Sequence, residues 1–291
     1  MAEDVKPNIS KEIMDRLKSL DELPHFPDAL MRLEHALIKN ENLPMREIVQ
    51  LIAQDPRLVA GLIDMANSAK YMTGQEVNHL ADAVTVIGLK EMRLMAHLIH
   101  YQTSFRRKPP FSDAFFLKHA FISAVMAQKM AEFLKLDSGE AFLAALMRDI
   151  GVYLLATEDR EKYLKVIKLT NYDISKLPLA ENKVFGTYHA LMSARLLQQW
   201  NFSKETIIGV AFHHNPEKAE TSCQPYAYLT FLAEQAVFRL GIDNGIADIT
   251  DEERENPSEK LLNALDYLNL PIEKYDELSQ LAKKDAEKMG M

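Results

Sequence analysis

The sequence predicts an all-α protein, and three observations carry that prediction. Apolar residues recur at helical spacing along nearly the whole chain, and most of these stripes open on a Ser, Thr, Asp or Pro of the kind that starts helices. Glycine is scarce, 10 in 291 residues, while 47% of the chain is hydrophobic and 26% charged, a globular balance that leans helical. No stretch shows sustained alternation closed by hairpin turns.

Residues 1–22 read as a polar extension with one amphipathic turn set, Ile13, Met14, Leu17 and Leu20. The segment Leu23-Pro24-His25-Phe26-Pro27 breaks it, and a helix over about 28–39 follows with Leu30, Leu33, Ala36 and Leu37 on one face. A second runs from Pro44 with Ile48, Leu51 and Ile52 inward. Asp55-Pro56 restarts the chain, Asp as N-cap and Pro at the first helical position, and Leu58, Val59, Leu62, Ile63 and Ala66 then make one stripe that Asn67-Ser68-Ala69 ends. A helix over 80–87 reaches Gly88, which suits its C-terminal turn, and a Met-rich helix continues from Leu89 to about Ser104.

The basic run Arg106-Arg107-Lys108 followed by Pro109-Pro110 reads as a solvated linker. Ser112 then caps a helix with Phe115, Phe116, His119, Ile122, Ser123, Met126 and Met130 near one face. Ser138 opens a buried stretch, Ala141–Ala156, read as one helix with a small-residue face at Ala141, Ala144 and Ala145. This apolar run contains adjacent opposite charges, Arg148 and Asp149, and an unpaired buried charge costs several kcal/mol, so both need partners. Thr187 is the expected cap of a helix over 189–200, Ser203 of one ending at His213-His214-Asn215-Pro216, and Pro225 opens a helix to about Leu240. Two tail helices begin at Pro257 and Pro271.

The net charge of −8 is uneven: from Asp248 to Met291 there are 12 acidic and 6 basic residues, which leaves about −2 on the rest. No basic face for duplex nucleic acid is implied. The longest charge-free run, Thr221–Ala233, falls short of the roughly 18 apolar residues of a membrane span. The N-terminus has no apolar signal segment, and the one cysteine, Cys223, excludes an internal disulfide framework, so a cytoplasmic protein is expected.

A glycine-rich phosphate loop, GxSxG, HExxH and CxxC are all missing, which removes P-loop, common serine-hydrolase and zincin chemistry. The remaining signal is histidine placement. His119, His189, His213 and His214 fall on separate predicted helices or their ends, where neutral imidazoles joined by a carboxylate such as Asp149 could coordinate a divalent metal. Read singly, each is more readily a hydrogen-bonded core or surface histidine than a ligand.

LPHFPDAL (Leu23–Leu30), AQDPRLVAGLIDMANSAKY (Ala53–Tyr71) and LADAVTVIGLKEMRLMA (Leu80–Ala96) resemble the HDOD domain, a bacterial signalling relative of the HD superfamily of metal-dependent phosphohydrolases. In the second half, AFLAALMRDIG (Ala141–Gly151), YHALMSARLLQQW (Tyr188–Trp200) and VAFHHNP (Val210–Pro216) resemble the HD part. The resemblance covers about Leu23 to Leu240. It implies an all-α, HDOD/HD-like fold with two helical lobes, over 23–108 and 109–245, followed by acidic C-terminal helices over 246–291. His119, Asp149, His189, His213 and His214 stand at positions matching the family's pocket.

The departures from that pattern set the functional expectation. Arg148 stands where the HD signature needs a histidine, and a guanidinium has no lone pair to offer a metal. Val152 stands where catalytic relatives often carry a lysine, and Glu234 replaces the later aspartate. The seven residues His119, Arg148, Asp149, His189, His213, His214 and Glu234 are therefore expected to form one degenerate pocket with no catalytic residue, no metal and no cofactor. The expected function is a non-catalytic signal-transduction output module acting on a signalling protein or a small phosphate-containing ligand. The alternative is a metal-dependent phosphohydrolase acting on a nucleotide or cyclic dinucleotide, with a divalent metal as cofactor. Arg148 is expected to take the metal's space, held by Asp149, Glu234 or both. Adjacent helical residues diverge by about 100°, so Glu234 is the easier partner to reach. The tail is expected to pack back through Leu261, Leu262, Leu265, Ile272, Leu278 and Leu281 and to modulate partner access.

Overall fold

The computed structural model describes residues 9–19, 29–30, 32–33, 36, 43–72, 74–103 and 108–289. Among these the protein is all-α with no strand; one isolated parallel bridge pairs Asp173 with Asp248. The described residues within Met1–Leu23 and Arg106–Lys283 form one compact unit, and those within Pro24–Phe105 and Lys284–Met291 form a second.

Helix α1 (Ile9–Ser19) buries Ile13, Met14 and Leu17, the turn set read from the sequence, while Leu20 lies outside the described residues. The segment is docked on the larger unit: Ser10 Oγ lies 2.8 Å from Thr187 Oγ1, and Arg16 pairs with Glu158.

In the smaller unit, the helix expected over 28–39 is described only at 29–30, 32–33 and 36, where the backbone is helical and Leu30 and Leu33 are buried. The Leu23–Pro27 break and Leu37 lie outside the described residues. Helix α2 (Met45–Ile52) buries Ile48 and Ile52. Helix α3 (Pro56–Ala66) begins as predicted, with Asp55 Oδ1 accepting from the Arg57 amide at 2.9 Å and Pro56 in the first turn, and it buries Leu58, Leu62 and Ala66. Asn67 closes α3 and pins the following loop, donating to Val77 O and accepting from Val77 N, both at 2.8 Å. Helix α4 (Leu80–Ile87) ends at Gly88, whose φ of +84° suits a residue without Cβ, and α5 (Leu89–Thr103) starts directly after it. Residues 104–107, which include Arg106 and Arg107 of the expected linker, lie outside the described residues.

The larger unit holds the remaining helices, except that the last one runs past Lys283 into residues assigned to the smaller unit. Helix α6 (Asp113–Leu134) is capped by Ser112 as predicted. It buries Phe116, His119, Ile122, Ser123, Met126 and Met130, but Phe115 is 54% exposed, one position off the stripe. Helix α7 (Ser138–Met147) is capped by Asp137 rather than Ser138, because Asp137 Oδ1 accepts from the amides of Gly139 (2.8 Å) and Glu140 (3.1 Å). Ala141, Ala144 and Ala145 are fully buried; α7 packs closely on α6, and Ala144 lies against Gly209.

The single helix expected over 141–156 is corrected by the structure. The chain breaks at Arg148-Asp149, and α8 (Ile150–Glu158) begins afresh. The cause is Ser193, whose hydroxyl accepts from the Gly151 amide (2.8 Å) and donates to the Arg148 carbonyl (2.7 Å). A continuous helix would use that donor and that acceptor along its own axis. The Val152 amide turns instead to Asp149 O at 2.9 Å.

Helices α9 (Arg160–Thr170), α10 (Leu177–Phe185), α11 (His189–Gln199) and α12 (Lys204–Phe212) follow. Thr187 does not cap α11; its hydroxyl faces Ser10, and the α11 amide end is satisfied by Glu181, described below. Ser203 caps α12 as predicted. Helix α13 (Gln224–Arg239) carries a proline in its first turn.

The acidic segment 248–256 is more ordered than its composition suggests. It forms α14 (Asp251–Glu255) behind a capping box between Thr250 and Glu253. Helices α15 (Glu259–Tyr267) and α16 (Ile272–Lys288) complete the tail. Of the leucines expected to pack back, Leu261, Leu265 and Leu278 are buried, whereas Leu262 (46%) and Leu281 (41%) are exposed. Tail side chains also reach α13 and its neighbours through backbone carbonyls: Tyr275 Oη donates to Leu232 O (2.9 Å), Lys260 Nζ to His214 O (2.6 Å), and Arg254 to Phe238 O. Among the described residues no helix is long and apolar enough to cross a membrane.

Candidate functional site

All seven residues singled out from the sequence fall inside the larger unit. His119 comes from α6, Arg148 and Asp149 from the break between α7 and α8, His189 from the first position of α11, His213 and His214 from the turn after α12, and Glu234 from α13. All are buried except His214, which is half-buried; Arg148 is 1% exposed, a large side chain to hold so completely.

Asp149 divides the pocket. Its Oδ2 lies 3.1 Å from Arg148 Nε, which is also 3.5 Å from Glu234 Oε1. Arg148 Nη1 donates to Ala145 O at 2.8 Å. The guanidinium thus stands between two carboxylates, and Asp149 is the nearer. The expectation that Glu234 is easier to reach assumed a continuous helix; the break turns Asp149 back toward its neighbour.

On the other side, Asp149 Oδ1 faces imidazoles, with His189 Nε2 at 3.4 Å and His213 Nε2 at 3.8 Å. His189 Nε2 and His214 Nε2 are 2.8 Å apart. The far nitrogens are anchored: His189 Nδ1 on Glu181 Oε2 (2.6 Å) and His213 Nδ1 on Val210 O (2.7 Å). A carbonyl accepts only, so His213 carries its proton on Nδ1 and turns a lone pair inward at Nε2. That Nε2 is buried without a hydrogen-bond partner. His119 is set the same way, Nδ1 on Ile242 O at 3.0 Å and Nε2 buried and unpartnered.

Burial and charge together fix the protonation. Burial, then Arg148, lowers His119 to about 3; burial likewise lowers His213 to about 3 and, with His213 and His189 adding, His214 well below the ordinary value. Burial also works against a charged His189, but Glu181, by charge and hydrogen bond, with Asp149 and Glu234, raises it to about 9. Burial pushes Asp149 up, and Arg148 followed by the histidines outweighs it, holding Asp149 below the ordinary carboxylate value. Burial raises Glu234, and the pull of Arg148 offsets this only in part.

The site also uses residues that the sequence reading missed. Glu181 is fully buried, and its Oε2 accepts from both the amide and Nδ1 of His189 (2.8 and 2.6 Å) while Oε1 accepts from Tyr163 Oη (2.8 Å). One carboxylate therefore caps α11 and orients its first histidine. Ser193 makes the break at Arg148. Gly151 permits the contact between α8 and α11, since a Cβ there would sit 2.1 Å from His189 O. A lone Glu, Ser and Gly carry no spacing signal; Gly151 and Ser193 lay inside the quoted motifs Ala141–Gly151 and Tyr188–Trp200, and Glu181 lay outside them.

The resemblance to the HD superfamily implies a divalent metal, and the two sides of Asp149 differ as hosts. On the arginine side the residues do not fit one, because the oxygens it would need from Asp149 and Glu234 already face a permanent cation. On the histidine side the donors fit: His189, His213 and His214 each offer a ligand atom within 4.8 Å of the others. Asp149, His213 and Glu234 satisfy the same distance test, but that group includes the two carboxylates that Arg148 holds.

Residues 23–216 match the HDOD domain family. Several solved structures are similar over nearly the whole chain. An HDOD domain protein of unknown function from Geobacter sulfurreducens is 19% identical with a TM-score of 0.77, covering 99% of this chain and 97% of that one. A protein provisionally named as a phosphohydrolase from Shewanella amazonensis SB2B is 23% identical with a TM-score of 0.75, covering 99% and 98%. A provisionally named signal transduction protein from Marinobacter aquaeolei VT8 is 20% identical with a TM-score of 0.73, covering 99% and 66%. At these identities the likeness is one of fold. An uncharacterized protein of Treponema pallidum (strain Nichols) is 22% identical over 222 residues, 75% of this chain, and the chain spans 42% of that relative's length.

Proposed function

The chain belongs to the HDOD domain family, and on that premise we propose that it is a non-catalytic regulatory module of signal transduction, acting in the cytoplasm through a protein partner or a small ligand. One observation carries the reading: the buried guanidinium of Arg148, 3.1 Å from Asp149 and 3.5 Å from Glu234. Metal-dependent hydrolysis at phosphorus needs an ion that activates water and neutralises charge on the phosphoryl oxygens. Arg148 balances these carboxylates but offers no coordination position.

The competing reading is a metal-dependent phosphohydrolase acting on a nucleotide or cyclic dinucleotide. What favours it is the set of imidazole donors on the other side of Asp149. The test is hydrolysis of bis(p-nitrophenyl) phosphate and of a cyclic dinucleotide, with and without Mn²⁺, by the wild type and by Arg148→His. The expected result is no turnover by the wild type under any condition. Metal-dependent turnover by the wild type that is lost in His189→Ala would replace this reading with the enzyme.

A further inference from the structure

A cleft of about 510 Å³ opens in the larger unit between the turn at 215–217, α13 and α15, outside the seven residues described above. We infer that it binds a small aliphatic cation bearing an ammonium or guanidinium group, recognised by the rings of Tyr228 and Phe231 and the carboxylates of Glu217 and Glu259. This site does not rest on the non-catalytic reading above.

Three observations support it. The first is the wall. The volume falls in the range of small-ligand sites, roughly 300–1,000 Å³. Tyr228 and Phe231 stand three apart on α13, so they share one face of the helix and both line the cleft. Tyr267 stacks on the Tyr228 ring, with centroids 4.1 Å apart and planes at 25°, which holds that ring firm. Asn215 and Asn263 also line the cleft, and an amide oxygen accepts from a cationic N–H.

The second is that the cleft already receives a cation of this chemistry from its own chain. Lys260 Nζ stands 4.8 Å from the centroid of the Phe231 ring, within reach of a cation–π contact, and donates to His214 O at 2.6 Å. An aromatic face and a carbonyl together hold a primary ammonium. Because that ammonium is tied to His214, an occupant beside it bears on the turn that carries His213 and His214.

The third is charge. Glu217 and Glu259 bring two carboxylates to the lining against the one ammonium of Lys260. Lys218 acts on Lys260 from outside the lining. Among the described residues neither carboxylate forms an ion pair. Glu217 also faces Tyr228, whose phenol is raised above its ordinary value by burial and then by this carboxylate. An anion entering here would meet the surplus carboxylate, and the one ammonium in the lining is already engaged. The phosphate-containing ligand expected from the sequence therefore does not suit this cleft, whereas a cation does.

The test titrates the full chain by calorimetry with agmatine, which carries one ammonium and one guanidinium group, and uses AMP and inorganic phosphate as competitors. Expected are one agmatine per chain with a submillimolar Kd, weakening as salt is added, and no displacement by either anion. Glu217→Gln combined with Glu259→Gln, at two exposed positions, should weaken binding roughly tenfold. Lys260→Met removes the competing ammonium and should tighten it. Glu252→Gln combined with Glu255→Gln, exposed on α14, controls for general attraction to the acidic tail and should leave the affinity unchanged. Absence of submillimolar binding, or an equal loss in the α14 control, overturns the site. Weaker binding in Lys260→Met, or displacement of agmatine by AMP or phosphate, overturns the assignment of a cationic ligand.

Discussion

The two sides of Asp149 make opposite uses of one carboxylate. On the Oδ2 side an arginine faces two acids and the charge is balanced by protein alone, although Arg148 Nε and Nη2 complete no hydrogen bond among the described residues. On the Oδ1 side three imidazoles converge, and the inward His213 nitrogen is left unsatisfied. The difference shows that the reach of the Arg148 guanidinium covers one side of the pocket only, while the imidazoles beyond Asp149 keep their inward-facing arrangement.

The largest expected effect breaks the closed side. Arg148→Met leaves Asp149 and Glu234 buried without their cation, and removing one partner of a buried ion pair costs about 3–5 kcal/mol. Urea unfolding of the metal-free protein measures it. A loss below about 1 kcal/mol would mean that water screens the pair and that the two sides are not so different.

Gly151→Ala strikes the contact between the sides. Its Cβ would meet His189 O at 2.1 Å, so α8 and α11 must separate, at about 1–3 kcal/mol or more. The same unfolding measurement checks this, and a neutral result would mean that the helices shift apart without strain.

Glu181→Gln sharpens the histidine side at an expected cost of about 1.5–3 kcal/mol near pH 7, the range for hydrogen bonds to charged groups. It also carries a pH signature. His189 is raised from 6.5 to about 9, so its contribution is complete below about 6.5 and is lost as pH climbs through 9. The metal-free wild type should lose stability across that alkaline window, and the variant should show a flatter profile there. An unchanged slope would detach Glu181 from the charge on His189.

The smallest effect belongs to a contact outside both sides. Tyr275→Phe removes the donor to Leu232 O, two residues before Glu234 in α13, at about 0.5–1.5 kcal/mol. Urea unfolding checks it, and unchanged stability would mean that water replaces the lost hydrogen bond.

What the sequence made legible was local. Asp55, Ser112 and Ser203 cap helices because capping is decided within three residues, and the all-α class follows from many such decisions. The membership of the pocket was legible through motif positions. Its division was not. The helix over 141–156 is broken by Ser193, 42 residues from the amide it receives, and no periodicity within the run foretells that. Glu181 was missed for a similar reason: eight positions before His189, it belongs to another helix and looks like any surface acid until it is seen buried. The capping box at Thr250 and Glu253 was within reach, but the acidity of 248–256 hid it.

The Ser193 clamp has a mechanical consequence. Its two hydrogen bonds and the Gly151 contact weld the start of α8 to α11, so neither helix can slide or rotate without carrying the other. Helix α1 rests on both. A displacement of α1 would therefore bear on both helices together, and Asp149 and His189 stand at their N-terminal ends.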